Sequence, residues 1–352
     1  MCIRDRLSRF TPLHYIYINK LSKRFRTIID EEKPDLLYVP REVDWWILAA
    51  NQASKGTIPW TALLHAMPLF VCILNPNPKG VISTLLDVPS LKYKPLKTVR
   101  GLYRYFRLQL LVEVLKNTLV LSVSKSIELD LKMFYPWLNI ETLNPGVGID
   151  VEYILSIPPS TKTFDAIYFT SLLIPQKGFL ELPKIWKKVL QHIPHAKLLI
   201  VGKSYRKYLE QFLSLIKRLN LKGSIFLSEL LPHNKLISLV KSSKLMVYPS
   251  MFDSFAMVVL ESLASGVPVV AYDIPAIRLN YPTRSVIKCP VSDSDSLAFN
   301  VVKLLSDNKK RKKLSQDAVN YALRFSWENV ARQEAEGYRK VLDFWSSKCA
   351  LH

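Results

Sequence analysis

The stretch LMVYPSMFDSFAMVVLESLASGVPVVAYD, residues 245–273, contains a complete strand–loop–helix–strand unit. Its two apolar ends, 245–250 and 267–273, have the length and the β-branched content of buried strands. The segment between them predicts a helix, with one acid before that helix, Asp253, and one within it, Glu261. Neighbouring parallel strands need a crossover connection such as this helix, so the unit predicts a parallel sheet that helices cover on its faces.

The same alternation of strands and helices extends on both sides of this unit. In the second half, further strand patterns occur at 166–173, 197–202 and 224–230. In the first half, strands are predicted at 35–40, 59–66, 118–124 and 140–146, and helices near 43–55, 96–116 and 125–134. A Pro-Pro pair within 150–164 predicts a linker there. We therefore expect an α/β protein with a first domain at 1–155, a second at 156–325, and a C-terminal helix at 326–346 that crosses back to the first domain.

Composition narrows the class of protein. The chain has 352 residues, 49% of them hydrophobic and 22% charged, which is typical of a globular protein. Polar residues interrupt the longest apolar stretch, so no membrane-spanning helix is expected. Four scattered cysteines without a CxxC pair predict reduced thiols in a cytoplasmic protein. The net charge of +20 admits nucleic acid, anionic membranes and phosphorylated molecules as partners. We expect no nucleic-acid binding, because no nucleic-acid-binding motif accompanies that charge.

The acid pair has two interpretations. Asp253 and Ser254 lie where an N-cap residue belongs, so they could do no more than satisfy backbone N–H groups. Glu261, however, has apolar neighbours, and a buried carboxylate needs a hydrogen-bonding partner. Eight helical residues rise roughly 12 Å, so two acids with that separation could bracket an extended ligand. A nucleotide sugar has that shape, and its paired hydroxyls donate hydrogen bonds to carboxylates.

Four segments resemble, in the same order, motifs of the retaining GT-B glycosyltransferases of family four, the glycosyl transferases group 1. The segment DSFAMVVLESLASGVPVVA resembles the E-x7-E segment of that family and the run that follows it. SLLIPQKGFLELPKIW is similar to its phosphate-binding loop, LSVSKS…NPGVGID to the end of its first domain, and FSWENVA to its C-terminal helix. The resemblance implies a GT-B fold, in which two Rossmann-like parallel-sheet domains face each other across a cleft.

The resemblance implies roles for individual residues. Glu261 matches the glutamate that binds the ribose of the sugar donor. Asp253 stands where the family has a glutamate near the donor sugar, and its side chain is one methylene shorter. Lys177 matches the lysine that meets the donor diphosphate. Three neighbouring residues complete the predicted donor-binding set: Gly178, Ser254 and Phe255.

Two further residues, His65 and Leu172, bear on the implied activity. His65 resembles the first-domain histidine that faces the donor sugar, which makes it a predicted catalytic residue with Asp253; a structural role at the end of a strand is an equal alternative. Leu172 replaces an arginine that partners the lysine in the family, and Lys203 or Arg206 could supply the missing cation. The sequence SDSDS at 292–296 contains a D-x-D pattern. It precedes a helix pattern, so we expect helix capping, and the resemblance implies neither a metal nor another cofactor.

The implied activity is the transfer of a sugar, with retention of configuration, from a nucleotide-diphosphate-sugar donor to a hydroxyl of a glycan or a lipid-linked glycan acceptor. A non-catalytic nucleotide-sugar-binding relative and a nucleotide-sugar epimerase are the alternatives. The first domain lacks the apolar strand and the Gly-rich loop with which this family opens. We therefore expect an N-terminally truncated fragment in which the first domain is incomplete.

A basic stripe in the first half suggests a further partner. Its residues recur at helical spacing among apolar and aromatic neighbours: Lys97, Arg100, Arg104 and Arg107. Such a helix can contact an anionic membrane or a polyprenyl-phosphate-linked acceptor, and an ordinary solvated helix face is the equal alternative. The corresponding localisation is cytoplasmic, with peripheral contact at the inner face of the membrane.

Overall fold

The computed structural model describes residues 11–40, 44–65 and 109–349. The chain divides into two compact units. The first contains the residues up to Gly146 together with those from Ala331 onward, and the second is Val147–Val330. Among the described residues, no helix is both long and apolar enough to span a membrane. The basic stripe lies outside the described residues, so its contact with a membrane stays a prediction from the sequence.

The first unit is built on four parallel strands. They are β1 Leu37–Val39, β2 Trp60–Leu64, β3 Val120–Ser122 and β4 Ile140–Thr142. They lie in the order β1–β2–β3–β4, and every pairing is parallel. Its helices are α1 Thr11–Glu32, α2 Asp44–Ser54 and α3 Lys125–Phe134, and residues 109–115 are also helical. The two middle strands are buried along their whole length, as expected of a parallel sheet with covered faces.

The second unit contains a larger parallel sheet. Its strands are β5 Phe164–Leu173, β6 Leu198–Ser204, β7 Ile225–Ser228, β8 Ser243–Tyr248, β9 Val269–Tyr272 and β10 Val286–Cys289. The helices of this unit are α4 Val151–Ser156, α5 Leu182–His192, α6 Arg206–Arg218, α7 His233–Lys241, α8 Met257–Ala264, α9 Pro275–Asn280, α10 Ser294–Ser306 and α11 Asn308–Ala322. The last helix, α12 Trp327–Cys349, begins in the second unit, and its residues from Ala331 onward belong to the first. Two 3-10 turns cover Pro175–Lys177 and Leu323–Phe325.

The strand order of this sheet is β10–β9–β8–β5–β6–β7. From β5 the chain first builds outward through β6 and β7, and then returns so that β8 pairs with the other side of β5. The order therefore reverses between β5 and β8. Because α/β sheets bind ligands at such a reversal, outside the carboxyl ends of the strands, the topology alone indicates where a site belongs.

Three elements differ from the sequence prediction. The predicted linker at 150–164 begins with helix α4, whose N-cap residue Asp150 accepts a hydrogen bond from the Tyr153 N–H at 2.8 Å. Helix α1 was not predicted; it packs on α2, with Phe25 and Trp46 in edge-to-face contact at 6.4 Å. Strand β10 was also missed, since it has four residues at the edge of the sheet and carries a lysine. The other predicted strands and the C-terminal helix are present.

Candidate functional site

Two loops meet where the strand order reverses. Strand β5 leads into the 3-10 turn Pro175–Lys177, and strand β8 leads into residues 249–256, which precede α8. The Met251 N–H donates a hydrogen bond to the Gln176 carbonyl at 3.0 Å, which joins the two loops directly. Residues that are distant in the sequence therefore share one small region at the carboxyl edge of the sheet.

Gly178 makes this close approach possible. It ends the 3-10 turn with φ of 77°, a left-handed conformation that side chains disfavour. A Cβ atom at this position would lie 2.0 Å from the carbonyl oxygen of Pro249 in the opposing loop. Both the conformation and the contact therefore require a glycine here.

Lys177 and Asp253 form an ion pair across the two loops. Lys177 Nζ lies 2.6 Å from Asp253 Oδ2 and donates a second hydrogen bond to the Phe252 carbonyl at 3.2 Å. The lysine and aspartate side chains are 24% and 18% exposed, so the pair is accessible to a ligand. The Tyr248 hydroxyl donates to the same Oδ2, and the Ser254 N–H donates to Oδ1 at 2.8 Å. The aspartate is thus held from three sides.

The capping interpretation of Asp253 and Ser254 does not hold, because neither is the N-cap residue of helix α8. The helix begins at Met257, and its N-cap residue is Ala256, with φ of 69°. This left-handed residue is held by the Tyr281 hydroxyl, which donates to the Ala256 carbonyl at 2.9 Å. Residues 253–256 are therefore not helical, and the assumption of eight helical residues between the two acids does not hold. Ala256 has no side-chain oxygen, so the N-cap residue itself supplies no side-chain acceptor for the first amides of α8.

Two buried tyrosines donate hydrogen bonds to the two residues of the ion pair. Tyr168 and Tyr248 are fully buried, and their rings stack with centroids 6.5 Å apart. The Tyr168 hydroxyl donates to the Lys177 carbonyl at 2.7 Å. Burial raises the pKa of both hydroxyls above the usual value for tyrosine, and the negative charge of Asp253 raises it further. Both groups therefore stay protonated and act as hydrogen-bond donors, one to the lysine backbone and one to the aspartate.

Glu261 lies on α8 and has a partner that the sequence did not reveal. Its Oε1 is 3.3 Å from Nε2 of His233, the first residue of α7. The His233 ring is stacked on Tyr153, with centroids 6.2 Å apart and 14° between the ring planes. Burial raises the pKa of Glu261 above its ordinary value, whereas the charge and the hydrogen bond of His233 act to lower it.

The remaining predicted residues occupy different environments. Phe255 is buried, and its ring packs edge-on against Tyr281 at 5.7 Å and Phe325 at 6.1 Å, so its side chain belongs to the core. The Ser254 carbonyl accepts a hydrogen bond from the Asn280 amide at 3.4 Å. His65 is exposed, directly after β2 in the first unit.

The cations proposed to replace the missing arginine differ in their surroundings. Leu172 is half-buried on β5, and its register partner on the neighbouring strand β6 is the exposed Lys203. Arg206 instead bonds Glu210 on its own helix at 2.8 Å. Adjacent residues of paired strands point to the same face of a sheet, so Lys203 is the cation that stands beside Leu172.

The D-x-D pattern has the structural role that was expected. Asp293 is the N-cap residue of α10, and its carboxylate accepts hydrogen bonds from the Asp295 N–H at 3.1 Å and the Ser296 N–H at 2.9 Å. Over the described ranges, no group of three or more His, Cys, Asp and Glu side chains could hold a metal ion.

Solved structures share this fold, among them a glycosyltransferase. A glycosyltransferase from Rickettsia africae superposes with a TM-score of 0.68 at 18% identity, covering 92% of this chain and 81% of that one. HepE of Anabaena, solved in complex with UDP and glucose, has a TM-score of 0.68 at 16% identity, covering 95% of this chain and 83% of that one. The chain is thus an α/β protein of the GT-B class, as predicted.

Comparison of the sequence with protein families and curated proteins also identifies glycosyltransferases. Residues 155–321 match the model for glycosyl transferases group 1. A D-inositol 3-phosphate glycosyltransferase of Corynebacterium urealyticum is 29% identical over 215 residues, covering 58% of this chain and 50% of the relative. An uncharacterized glycosyltransferase of Methanocaldococcus jannaschii is 28% identical over 181 residues, covering 50% and 45%. The chain therefore spans about half the length of these two curated relatives.

Proposed function

We propose that the protein is a retaining glycosyltransferase that binds a nucleotide-diphosphate sugar at the carboxyl edge of the second sheet. The sugar is transferred to a hydroxyl of a glycan or a lipid-linked glycan. One observation carries the proposal: the accessible Lys177–Asp253 pair lies at the strand-order reversal, directly before α8 and its Glu261. HepE of Anabaena, which has the same fold, was solved in complex with UDP-glucose, and this supports a nucleotide sugar as the ligand class.

The diphosphate is the part of the ligand that this corner suits best. Lys177 Nζ supplies a positive charge, and the first amides of α8 supply oriented N–H donors, which together favour an anion. When phosphate oxygens replace Asp253 as partners of Lys177, the aspartate is released to accept hydrogen bonds from the sugar hydroxyls. Glu261 accepts hydrogen bonds from the ribose through its remaining oxygen.

The reaction then needs no nucleophile from the protein. The bond between the anomeric carbon and the diphosphate oxygen breaks, and the negative charge that develops on the leaving group is stabilised by Lys177. The acceptor oxygen forms the new bond from the same face of the sugar, and its proton passes to the departing phosphate. His65 keeps the sugar-facing role that its resemblance implies.

A second cation for the diphosphate is Lys203. The resemblance implies a lysine–arginine pair, and Leu172 occupies the position of the arginine. Lys203 is exposed, lies next to Leu172 in register, and follows the buried part of β6 at the carboxyl edge of the sheet. Its ammonium can meet the phosphates as a point charge, although it lacks the bidentate geometry of a guanidinium.

Binding without transfer is a second candidate function. It is favoured by Leu172, because replacing a guanidinium with an apolar side chain weakens the stabilisation of the leaving group. The two functions differ in whether a product forms when both the sugar donor and an acceptor glycan are present.

Isothermal titration of the full chain with UDP, GDP and the corresponding sugar nucleotides tests the proposal. We expect saturable binding that is lost in Lys177→Met and retained in Lys184→Met. Lys184 is a matched control because it is an exposed lysine that pairs with Glu181 at 3.0 Å on the outside of the same unit. Equal binding by both variants would contradict the assignment of Lys177. Binding without transfer to any of a set of glycan acceptors would favour the second function.

A further inference from the structure

The contact between His233 and Glu261 joins three helices of the second unit. His233 begins α7, Glu261 lies on α8, and Tyr153, on which the His233 ring stacks, belongs to α4. The His233 side chain is 47% exposed, whereas Glu261 is 22% exposed. A half-exposed imidazole therefore contacts a mostly shielded carboxylate, and its orientation depends on the tyrosine ring beside it.

The carboxylate of Glu261 needs such a partner. Burial favours the neutral form of a carboxyl group, and its pKa is raised here for that reason. A protonated carboxyl group has lost part of its capacity to accept hydrogen bonds, and a carboxylate that binds two hydroxyls has to stay ionised. His233 opposes the effect of burial through its charge and its hydrogen bond. Its Nε2 contacts Oε1 at 3.3 Å, so we expect Oε2 to be the oxygen that meets a ligand.

Helix α4, whose Tyr153 stacks on the His233 ring, is itself held in place by hydrogen bonds. Helix α4 is capped at its start by Asp150, at 2.8 Å from the Tyr153 N–H. At its end, Lys241 Nζ donates to the carbonyls of Ile154 at 3.1 Å and Leu155 at 2.8 Å. Lys241 is the last residue of α7, the helix that His233 begins. Helices α4 and α7 are thus joined by contacts from both ends of α7. Lys241 donates hydrogen bonds to carbonyls of α4, and the His233 ring stacks on Tyr153.

From this arrangement we infer that His233 is a positioning residue for the sugar donor, held by Tyr153, which keeps Glu261 ionised and turns its free oxygen toward the ribose hydroxyls. The inference rests on the proposed function, because it assumes that Glu261 binds the ribose. It adds a residue that touches neither the sugar nor the phosphates, and it makes nucleotide affinity depend on the charge beside Glu261.

Other titratable groups occur on the elements that pack against α8. On α4, α7, β8, β9 and α11 these are Glu152, Tyr153, His233, Lys235, Lys241, Lys244, Tyr248, Tyr272, Lys309, Lys310, Arg311, Lys312, Lys313, Asp317 and Tyr321. Several have partners elsewhere: Lys244 pairs with Asp165, Tyr248 bonds Asp253, and Arg311 bonds the carbonyls at the end of α10. Burial and the charge of Asp253 are the main causes of the raised pKa of Tyr281, and the charge of Glu261 adds a smaller contribution. The contact with His233 is the one that acts on the Glu261 carboxylate by both charge and hydrogen bond.

The first test measures the affinity for UDP, UDP-glucose and GDP in the full chain between pH 5 and pH 8. His233→Leu removes both the hydrogen bond and the charge, and affinity is expected to fall on the order of tenfold. His233→Gln keeps an N–H donor, so it recovers part of the affinity at pH 8. The acid pH at which affinity is lost moves upward in His233→Gln, because Glu261 without the neighbouring positive charge binds a proton more readily. Tyr153→Ala also lowers the nucleotide affinity and shifts its pH dependence in the same direction, by smaller amounts.

His192→Gln is the matched control, because His192 is an exposed histidine at the end of α5. It leaves both the affinity and the pH profile unchanged. A role in folding alone would lower the melting temperature of the His233 variants without moving the pH profile, and that result would overturn the inference.

A second measurement does not depend on nucleotide binding. A carbon-13 NMR titration of the Glu261 carboxyl, assigned with Glu261→Gln, gives its pKa directly in the free protein. The value rises in His233→Gln relative to the unmodified chain, and an unchanged value would refute the inference. One outcome separates the two proposals: the chain binds nucleotide, Glu261→Gln weakens that binding, and His233→Leu leaves it unchanged. In that case the inference fails and the proposed function stands. If no member of the nucleotide panel binds, both fail.

Discussion

Gly178 offers the sharpest test of how the two loops build the site. Gly178→Ala introduces a side chain at φ of 77° and places its Cβ 2.0 Å from the Pro249 carbonyl oxygen. The left-handed conformation costs about 1–2 kcal/mol for a residue with a Cβ atom. The contact adds to this, because real Cβ atoms do not approach a backbone oxygen so closely and the two loops have to move apart.

Gly223→Ala is the control for the free-energy cost of the left-handed conformation. It has φ of 82°, and, apart from its chain neighbours, no heavy atom of the described residues lies within 4 Å of a Cβ built there. Gly223→Ala therefore carries the backbone cost of about 1–2 kcal/mol alone. Gly178→Ala is expected to lose about 2–5 kcal/mol in total, since overpacking typically adds another 1–3 kcal/mol.

Urea denaturation of the two variants gives both free energies of unfolding, and nucleotide titration gives the functional consequence. Gly178→Ala is expected to lose nucleotide binding, because separation of the loops moves Lys177 away from Asp253, whereas Gly223→Ala binds normally. Equal losses of stability, or normal binding by Gly178→Ala, would show that the approach of the two loops does not define the site.

Three further predictions concern single charges. Lys203→Met weakens UDP-glucose binding several-fold in calorimetry, whereas Lys207→Met, an exposed lysine of α6, leaves it unchanged; the reverse order would exclude Lys203 as the second cation. Glu261→Ala costs about 1.5–3 kcal/mol of nucleotide-sugar binding, the scale of charged hydrogen bonds, and undiminished binding would refute its role. In the first unit, burial raises the pKa of Glu128, but hydrogen bonds from Lys125, Thr142 and Lys132 outweigh it and lower the pKa overall. The stability that Glu128 contributes is therefore present above about pH 4.3 and lost as the pH falls further, so the difference between the unmodified chain and Glu128→Gln in urea shrinks in acid.

The strands that surround the site were easier to predict from the sequence than the side-chain contacts within it. Apolar runs located the strands on both sides of the strand-order reversal, and Lys177 and Gly178 followed from a motif whose backbone demands are local. The ion pair between Lys177 and Asp253 joins residues 76 positions apart, and only the pairing of β5 with β8 brings them together.

The errors have tertiary causes. Asp253 resembles an N-cap residue, because Asp and Ser are preferred at the position directly before a helix. Here the Tyr281 hydroxyl holds Ala256 in a left-handed conformation, and the helix starts later. No motif and no metal-ligand spacing marks His233 in the sequence. Its position after β7, at the carboxyl edge of the sheet, was a usable signal, but its contact with Glu261 depends on the packing of α7 against α8.

A crystal structure of the full chain with UDP bound would test the central claim most directly. We predict that the diphosphate lies between the 175–178 turn and the start of α8, with Lys177 Nζ on a phosphate oxygen and no longer 2.6 Å from Asp253. The ribose hydroxyls would then bond the oxygen of Glu261 that His233 leaves free. A nucleotide bound elsewhere, with the Lys177–Asp253 pair intact, would contradict the account.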